Sequence, residues 1–476
     1  MKKKKLLIFI PDGVGIKNYL LSDFIKFAAE GFEIVLAHNF HGSINDEINL
    51  ESGRFIHINV PEYNESLKYK FLRESLCFAR LNYNSKIKSN PSILVNWRRK
   101  FKNYPKRFFF KLVEKFGWYL SKDYNRIQRF TKYYHESLSN STDINEYINL
   151  VKNLNPYIIL TTHQRALHNI PLFAAAKKFN ITTVSVIYSW DNMPKARIPF
   201  YSDYFFVWSE FMKKEFDQYY PEIDSNRIKI TGTPQFEFYL KDTLLETKSD
   251  FFKKYNLDIN KPVICYSGDD KLTSPYDPEF LRDLATENSK IENKIRPQII
   301  LRPSPADDGQ RYNWVLKDFS DITFAPPVWQ EHSDDDDWAV KFPKREDIKT
   351  LVNLVFHTDA VVNLGSTMAH DFAMFQKPAF YVNYKPVPSA QSPKDNHTKN
   401  WSVKTIYQYE HFKSMQGLNP VYWINKKEDF KNILKIIQTK THSNREDQLL
   451  WRHKIIGEQH FKNSSRLLVD ELVNLT

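Results

Sequence analysis

The chain has 476 residues, of which 42% are hydrophobic, 15% aromatic and 26% charged, a balance typical of a folded protein. This length exceeds one ordinary core and predicts two domains of roughly 200 residues each. Its only cysteines, Cys77 and Cys265, lie far apart without ligand-like spacing. They argue against a disulfide framework or a zinc site and fit a reducing compartment. The net charge of +12 leaves nucleic acid, anionic lipid and simple solubility open as explanations.

The first ten residues, Met1–Ile10, imitate the start of a signal peptide, with lysines ahead of an apolar run. That run holds only five residues before Pro11, too few for the apolar region of a signal peptide or for a membrane span. No run of eighteen apolar residues occurs elsewhere in the sequence. We therefore expect a cytoplasmic protein.

The chain opens with the alternation of strand and helix that begins a doubly wound sheet. Residues 6–10 are apolar, residues 19–29 have helical periodicity, and residues 33–37 are apolar again. Asp12 and Gly13 lie in the loop after the first strand, which lacks the third glycine of a dinucleotide fingerprint. Asp12 is either part of an ordinary Asp-Gly turn or a site residue.

Residues from about 63 to 140 differ in character and read as helices inserted into the first domain. Between Lys86 and Lys132 there are fourteen lysines and arginines against only Glu114 and Asp123, with aromatic residues interleaved. Such a surface suits peripheral contact with an anionic membrane. RNA binding is an alternative, but no RNA-binding signature is present and no nucleic acid is expected. A solvated helical insertion with an aromatic core is the remaining interpretation.

Polar residues follow several predicted strands of the first domain. Residues 155–161 and 182–188 are apolar and rich in β-branched side chains, which predicts buried strands. His163 follows the first of these strands, and Asp191, Asn192 and Lys195 follow the second. Because ligands bind outside the carboxyl ends of such strands, these four residues are better site candidates than polar residues on helix faces.

A polar stretch over residues 235–261 predicts the crossover to a second domain, whose sheet starts at residues 262–267. Lys271 lies in the loop after that strand, and Arg302 ends a second predicted strand at residues 298–301. An arginine can meet a diphosphate bidentately, and a surface salt bridge is the alternative for Arg302.

Four consecutive carboxylates, Asp334–Asp337, suggest a metal-binding Asp-x-Asp pair. They lie between two proline-containing segments in what the pattern predicts to be an irregular loop. Such a run is more typical of a solvated acidic loop, so no metal site is expected.

The most informative stretch is 360–378. An apolar run at residues 360–364 predicts a buried strand, and Gly365, Ser366 and Thr367 form a small-residue turn before a helix. Such a turn leaves N–H groups and a helix dipole that suit a phosphate. Asp371 follows one helical turn later and could accept from ribose hydroxyls. The alternative is an ordinary strand-turn-helix with a serine or threonine cap.

The pattern Asn363-x-Gly-Ser-Thr-x3-Asp-x5-Lys377-Pro378 resembles the donor-nucleotide motif of GT-B glycosyltransferases, especially bacterial surface-polysaccharide transferases, and of the related UDP-GlcNAc 2-epimerases. The resemblance implies that Gly365, Ser366 and Thr367 hold the diphosphate of a nucleotide sugar and that Asp371 holds the ribose. The same family often carries Arg-x-His-Pro where this chain has Arg302 and Ser304, which removes the histidine.

The resemblance also implies a GT-B architecture, two doubly wound Rossmann-like α/β domains facing a cleft. Residues 1–240 would bind the acceptor and 241–440 the nucleotide sugar, with a helix in 441–476 crossing back to the first domain. In such a transferase the loop after the first strand faces the cleft, which makes Asp12 a candidate.

The predicted function is transfer of a sugar from a nucleotide-sugar donor, expected to be UDP-linked, to a glycan or lipid-linked acceptor in surface polysaccharide synthesis. No cofactor or metal is needed, because N–H groups and basic side chains can stabilise the leaving diphosphate. An inverting reaction needs a general base, and the candidates in order are His163, Asp191 and Asp12. A retaining reaction requires no such base of the first domain, and the sequence does not decide between the two. Asn192 and Lys195 are expected to bind the acceptor, with Lys271 near the diphosphate.

Three alternatives stay open: a UDP-sugar 2-epimerase, a polyol-phosphate transferase of the same fold, and a non-catalytic protein that binds sugar nucleotides or glycans. The expected location is cytoplasmic, with peripheral contact on the inner face of the cell membrane.

Overall fold

The computed structural model describes residues 3–40, 44, 47–48, 55–97, 101, 103–330, 341–393, 401–439, 442–457 and 460–475. The chain forms two compact units, Met1–Gln235 with Lys454–Thr476, and Phe236–His453. The chain passes between the two units at 235/236 and at 453/454. Part of the insertion and the Asp334–Asp337 run lie outside the described residues.

Seven parallel strands form the sheet of the first unit, in the order β3-β2-β1-β4-β5-β6-β7. Their bounds are β1 Lys4–Phe9, β2 Phe32–Ala37, β3 Ile56–Ile58, β4 Ile158–Thr161, β5 Thr182–Val186, β6 Tyr204–Val207 and β7 Ile228–Ile230. Apolar runs such as that of β1 follow from burial on both faces. The strand order reverses between β1 and β4, so their carboxyl ends flank a topological switch point.

Helices connect these strands. They are α1 Phe24–Gly31, α2 Leu67–Ile87, α3 Tyr104–Leu120, α4 Tyr124–Ser139, α5 Asn145–Leu154, α6 Asn169–Lys178 and α7 Glu210–Tyr219. Helices α2 to α4 and the 3-10 segment Pro91–Trp97 lie in the connection between β3 and β4. The helical insertion expected at residues 63–140 is therefore present in the first unit.

The second unit repeats the same plan. Its six-stranded sheet has the order β10-β9-β8-β13-β14-β15, with every pair parallel. The strands are β8 Val263–Ser267, β9 Gln298–Arg302, β10 Thr323–Phe324, β13 Ala360–Asn363, β14 Ala379–Val382 and β15 Tyr422–Ile424. Between β10 and β13 in chain order, β11 Trp329–Gln330 and β12 Phe342–Pro343 form a separate antiparallel pair. The order reverses between β8 and β13, giving a second switch point. Two doubly wound parallel sheets confirm the predicted α/β class.

Within the described residues, the remaining helices are α8 Lys248–Lys254, α9 Asp277–Ser289, α10 Asn313–Asp318, α11 Arg345–His357, α12 Met368–Met374, α13 Val403–Ile406, α14 Asn432–Gln438, α15 Arg445–Ile456 and α16 Ser464–Asn474. Helix α16 packs in the first unit, where the Arg466 guanidinium lies 4.0 Å from the Phe27 ring centroid. Among the helices of the described part of the chain, none is long and apolar enough to cross a membrane.

Candidate active site

A carboxylate–imidazole pair, with Asp12 buried and His163 largely buried, lies at the switch point of the first unit. Strands β1 and β4 are neighbours, with Phe9 opposite Thr161, so the loops that follow them start side by side. Asp12 Oδ1 accepts a hydrogen bond from the Gly15 N–H at 3.0 Å, and Asp12 Oδ2 lies 2.6 Å from His163 Nδ1. Because a carboxylate only accepts, Nδ1 carries the proton and the neutral ring keeps its lone pair on Nε2.

The second ring nitrogen of His163 has different surroundings from the first. Nε2 is buried and has no hydrogen-bond partner among the described residues. Tyr188 stacks on the imidazole, with ring centroids 4.0 Å apart and planes 17° from parallel. Burial lowers the pKa of His163, and the hydrogen bond with Asp12 opposes that shift. The pair has the geometry of a general base whose tautomer is fixed by its carboxylate partner.

Asp191 is held differently. Its Oδ2 lies 2.5 Å from Lys195 Nζ, and its Oδ1 accepts from Asn192 Nδ2 at 2.9 Å. Gln164 Nε2 in turn donates to Asn192 Oδ1 at 3.1 Å, so the two loops after β4 and β5 are joined. Both oxygens of Asp191 are engaged, which makes it less suited than His163 to take a proton. The structure thus brings Asp191, Asn192 and Lys195 together as one network.

In the second unit, the predicted phosphate turn follows β13. Gly365 has φ +75°, and a Cβ there would lie 2.6 Å from the Phe412 ring, so both backbone and space require glycine. The Ser366 N–H donates to Asn363 Oδ1 at 2.9 Å, which uses one N–H group of the turn. Helix α12 after Thr367 has only seven residues. The short helix contributes little dipole, so the turn's polar groups are chiefly its hydroxyls and remaining N–H groups.

Asp371 lies on α12 against Tyr239, whose hydroxyl donates to Asp371 Oδ1 at 2.9 Å. Burial raises the pKa of Tyr239 well above its ordinary value, and the Asp371 carboxylate raises it further. The charge of Arg302 opposes that shift. The predicted ribose carboxylate therefore has a fixed protein partner.

Arg302 forms a buried ion pair, and not the surface salt bridge of the alternative interpretation. Its Nη2 lies 2.8 Å from Asp347 Oδ1, and both side chains are buried. Asp347 also accepts from the Trp329 indole at 2.9 Å. Arg302 Nη1 is buried without a hydrogen-bond partner in the described part of the chain. Lys271 lies apart from this group, in an exposed pair with Asp308 at 3.6 Å.

Asp269 was not singled out from the sequence, although its loop was. It follows β8 at the second switch point, and its Oδ2 is buried with no partner among the described residues. Its N–H donates to Asp277 Oδ2 at 2.7 Å. Burial, Asp277 and Asp270 raise the pKa of Asp269 well above its usual range, and Arg311 opposes them. The signal available in the sequence was its position directly after an apolar strand.

Two doubly wound units, each with polar side chains at its switch point, define the GT-B class of fold. Solved structures with this fold include the UDP-GlcNAc 2-epimerase from Methanocaldococcus jannaschii (12% identity, 99% of each chain covered, TM-score 0.51). The structure described as S. aureus MnaA–UDP is similar (10% identity, 100% of this chain and 98% of that chain, TM-score 0.51). A glycosyltransferase from Rickettsia africae is similar too (12% identity, 100% and 99% covered, TM-score 0.51).

At these identities the similarity establishes the fold. No protein-family model matches the chain, and no curated protein matches its sequence.

Proposed function

We propose that this protein is a nucleotide-sugar-dependent glycosyltransferase whose general base is His163. The observation that carries the proposal is the Asp12–His163 pair at the first switch point, with Nε2 left without a partner. In the reaction, Nε2 takes the proton of an acceptor hydroxyl while that oxygen attacks the anomeric carbon. The bond from that carbon to the diphosphate breaks, and the nucleoside diphosphate leaves. Asp12 stabilises the imidazolium that forms.

The second unit would bind the donor. Support comes from the turn at Gly365, Ser366 and Thr367 and from Asp371 one helical turn further. Arg302, a buried cation at the end of β9, is proposed to meet the diphosphate. A UDP-linked donor is favoured because a structure of the same fold was solved with UDP. No metal is required by this proposal, because N–H groups and basic side chains can stabilise the leaving diphosphate.

The acceptor would be a glycan or lipid-linked glycan of surface polysaccharide synthesis, bound through Asn192 and Lys195. The proposal includes a cytoplasmic location with peripheral contact on the membrane's inner face.

A first test is thermal unfolding of the protein with UDP, GDP, CDP, CMP and ADP, because a ligand that binds only the folded state raises the melting temperature. A selective shift with UDP would support the donor class, and UDP-sugars would then be screened for transfer to glycan acceptors. The absence of a shift with every nucleotide would contradict the proposal.

A UDP-sugar 2-epimerase is the second candidate. The same imidazole could remove the C2 proton of a nucleotide sugar, and two of the similar structures are described as an epimerase and as a UDP complex. Incubation with UDP-GlcNAc in deuterated water separates the two activities. An epimerase exchanges the C2 proton for deuterium without an acceptor, whereas a transferase leaves C2 unlabelled and produces UDP only when an acceptor is present.

The pH dependence of turnover follows from the state of His163. A general base must be neutral, so activity is present above its pKa and is lost as the pH falls through it. Because burial lowers this pKa from the ordinary 6.5, we expect kcat/KM to stay high at pH 6.5 and to fall only in more acidic solution. Initial rates against pH give the value, and an acidic limb centred above 6.5 would contradict the assignment.

The ribose role of Asp371 can be separated from its structural role. Asp371→Ala removes the acceptor for bound nucleotide and should weaken UDP binding by about 1–3 kcal/mol, as the loss of a hydrogen bond to a charged group does. Tyr239→Phe removes the same internal hydrogen bond and leaves the carboxylate in place, so it serves as the control. Calorimetry should show weakened binding for the first variant alone. Equal weakening in both would favour a purely structural role.

A further inference from the structure

One side of α3 (Tyr104–Leu120) exposes an unusual number of large apolar side chains. They are Tyr104 (76% exposed), Phe108 (54%), Trp118 (49%), Tyr119 (47%) and Leu112 (43%). At 100° per residue, all five positions lie on the side of the helix opposite its buried residues. Helices at the surface of a soluble domain usually present polar side chains on this side. We call these residues, together with the basic residues between them, the outward face of α3.

The charged residues of the outward face are all basic. Arg107, Lys111 and Lys115 are exposed and lie between the aromatic positions. Glu114 is the helix's one acidic residue, and its carboxylate accepts from the indole of the buried Trp97 at 2.8 Å. The outward face therefore combines positive charge with aromatic and leucine side chains and has no carboxylate of its own.

Two cations beyond the end of α3 add to this surface. Lys122 Nζ lies 3.9 Å from the Trp118 ring centroid, and the Arg126 guanidinium lies 4.6 Å from that of Tyr119. Both rings are exposed, so these cation–π contacts hold positive charge beside aromatic surface.

The opposite side of α3 fixes the orientation of this face. Phe110, Val113 and Leu120 are buried, and a Cβ on Gly117 would lie 2.7 Å from the Ser75 carbonyl oxygen of α2. Such a close approach of two helices leaves α3 no room to roll about its axis. The apolar side chains of the outward face cannot turn into the core.

We propose that the outward face of α3 binds the surface of an anionic lipid bilayer, with the helix lying in the plane of the interface. Headgroup phosphates meet Arg107, Lys111 and Lys115, while Phe108 and Trp118 enter the boundary between headgroups and acyl chains. This inference concerns a surface apart from the proposed active site and holds whichever sugar reaction the protein performs. Binding of the bilayer surface would bring the protein to a lipid-linked acceptor.

A second copy of the chain is not expected to bind the outward face of α3, because the basic faces of the two copies would repel each other. A single-stranded nucleic acid binds along a groove that tracks its backbone. Here the exposed rings and Leu112 stand out from a convex helix, which suits insertion into an apolar boundary.

The test is sedimentation of the full-length protein with vesicles of phosphatidylcholine alone and of phosphatidylcholine mixed with phosphatidylglycerol. We expect binding to the anionic vesicles only. The triple variant Arg107→Gln/Lys111→Gln/Lys115→Gln should bind about a hundredfold more weakly, since each basic side chain near an anionic surface contributes about a fivefold factor. A matched control removes three exposed lysines elsewhere in the first unit: Lys152→Gln/Lys178→Gln/Lys214→Gln. It should bind like the wild type.

A second pair of variants tests the apolar part. Phe108→Ser/Trp118→Ser keeps every charge and should lose vesicle binding, whereas Phe179→Ser, at another exposed phenylalanine of the first unit, should not. Melting temperature and the response to UDP should be unchanged in all variants, which separates this result from a failure of the donor site. The proposal is overturned if the wild type does not bind anionic vesicles, if both triple variants lose binding equally, or if the protein binds polyuridine in place of vesicles.

Discussion

Replacing His163 by alanine is expected to reduce kcat by about 10²–10⁴-fold, the usual contribution of a positioned general base. Nε2 of this residue is the atom that would take the proton, and Asp12 has no other role in the proposed reaction than to hold Nδ1–H and to stabilise the charged ring. The affinity for UDP should be unchanged, because the residues proposed to bind it belong to the second unit. Initial rates and calorimetry on the same preparation measure the two quantities.

Asp12→Asn tests the partner of the pair. The amide can still accept from the Gly15 N–H, but it lacks the charge that stabilises an imidazolium, so kcat should fall while the melting temperature changes little. His168→Ala is the matched control, since this second histidine of the same loop lies beside Phe9, with ring centroids 5.9 Å apart, and not against Asp12. Wild-type turnover in His163→Ala would exclude the base assignment.

The second large effect concerns stability in acid. His370 is fully buried on α12, and its ring centroid lies 4.1 Å from that of Trp451. Burial, helped by His411 and Arg452, lowers the pKa of His370 from 6.5 to about 3. The unfolded chain protonates this ring near pH 6.5, whereas the folded chain does not until about pH 3. The free energy of unfolding therefore falls as the pH drops through this window.

The loss approaches about 1.4 kcal/mol per pH unit once the unfolded ring is fully protonated, so His370 alone should remove about 2 kcal/mol of stability between pH 6.5 and 4.5. His370→Leu replaces the titratable ring by an apolar side chain of similar size and should abolish this part of the acid sensitivity. Denaturant unfolding of both proteins at pH 7.5 and 4.5 measures the difference. Parallel losses in the two proteins would show that His370 is not responsible.

The strands were the most predictable part of the chain. Parallel strands buried on both faces must be apolar along their length. The apolar runs at residues 6–10, 182–188 and 360–364 therefore predicted strands. The helical insertion was also predictable, because its basic and aromatic composition differs from that of the flanking sequence. Helix and strand content of this kind is a local property of the sequence.

The pairing of Asp12 with His163 was not predictable. Both residues were proposed as bases, but separately, because their contact depends on β1 lying beside β4 across about 150 residues of sequence. Arg302 shows the same limit: its partner Asp347 lies 45 residues further on. Asp269 lies in the same loop as Lys271, and its burial is a property that the sequence does not reveal. The roles of these residues stay predictions.

The chain passes between the units twice, at 235/236 and at 453/454, so the second unit is one continuous segment and the first unit is assembled from two. Helix α16 completes the first unit through Arg466, which contacts Glu30 at 3.1 Å as well as Phe27. Loss of Ser464–Asn474 would therefore leave the continuous segment of the second unit unchanged. It would instead disturb the first unit, which contains Asp12.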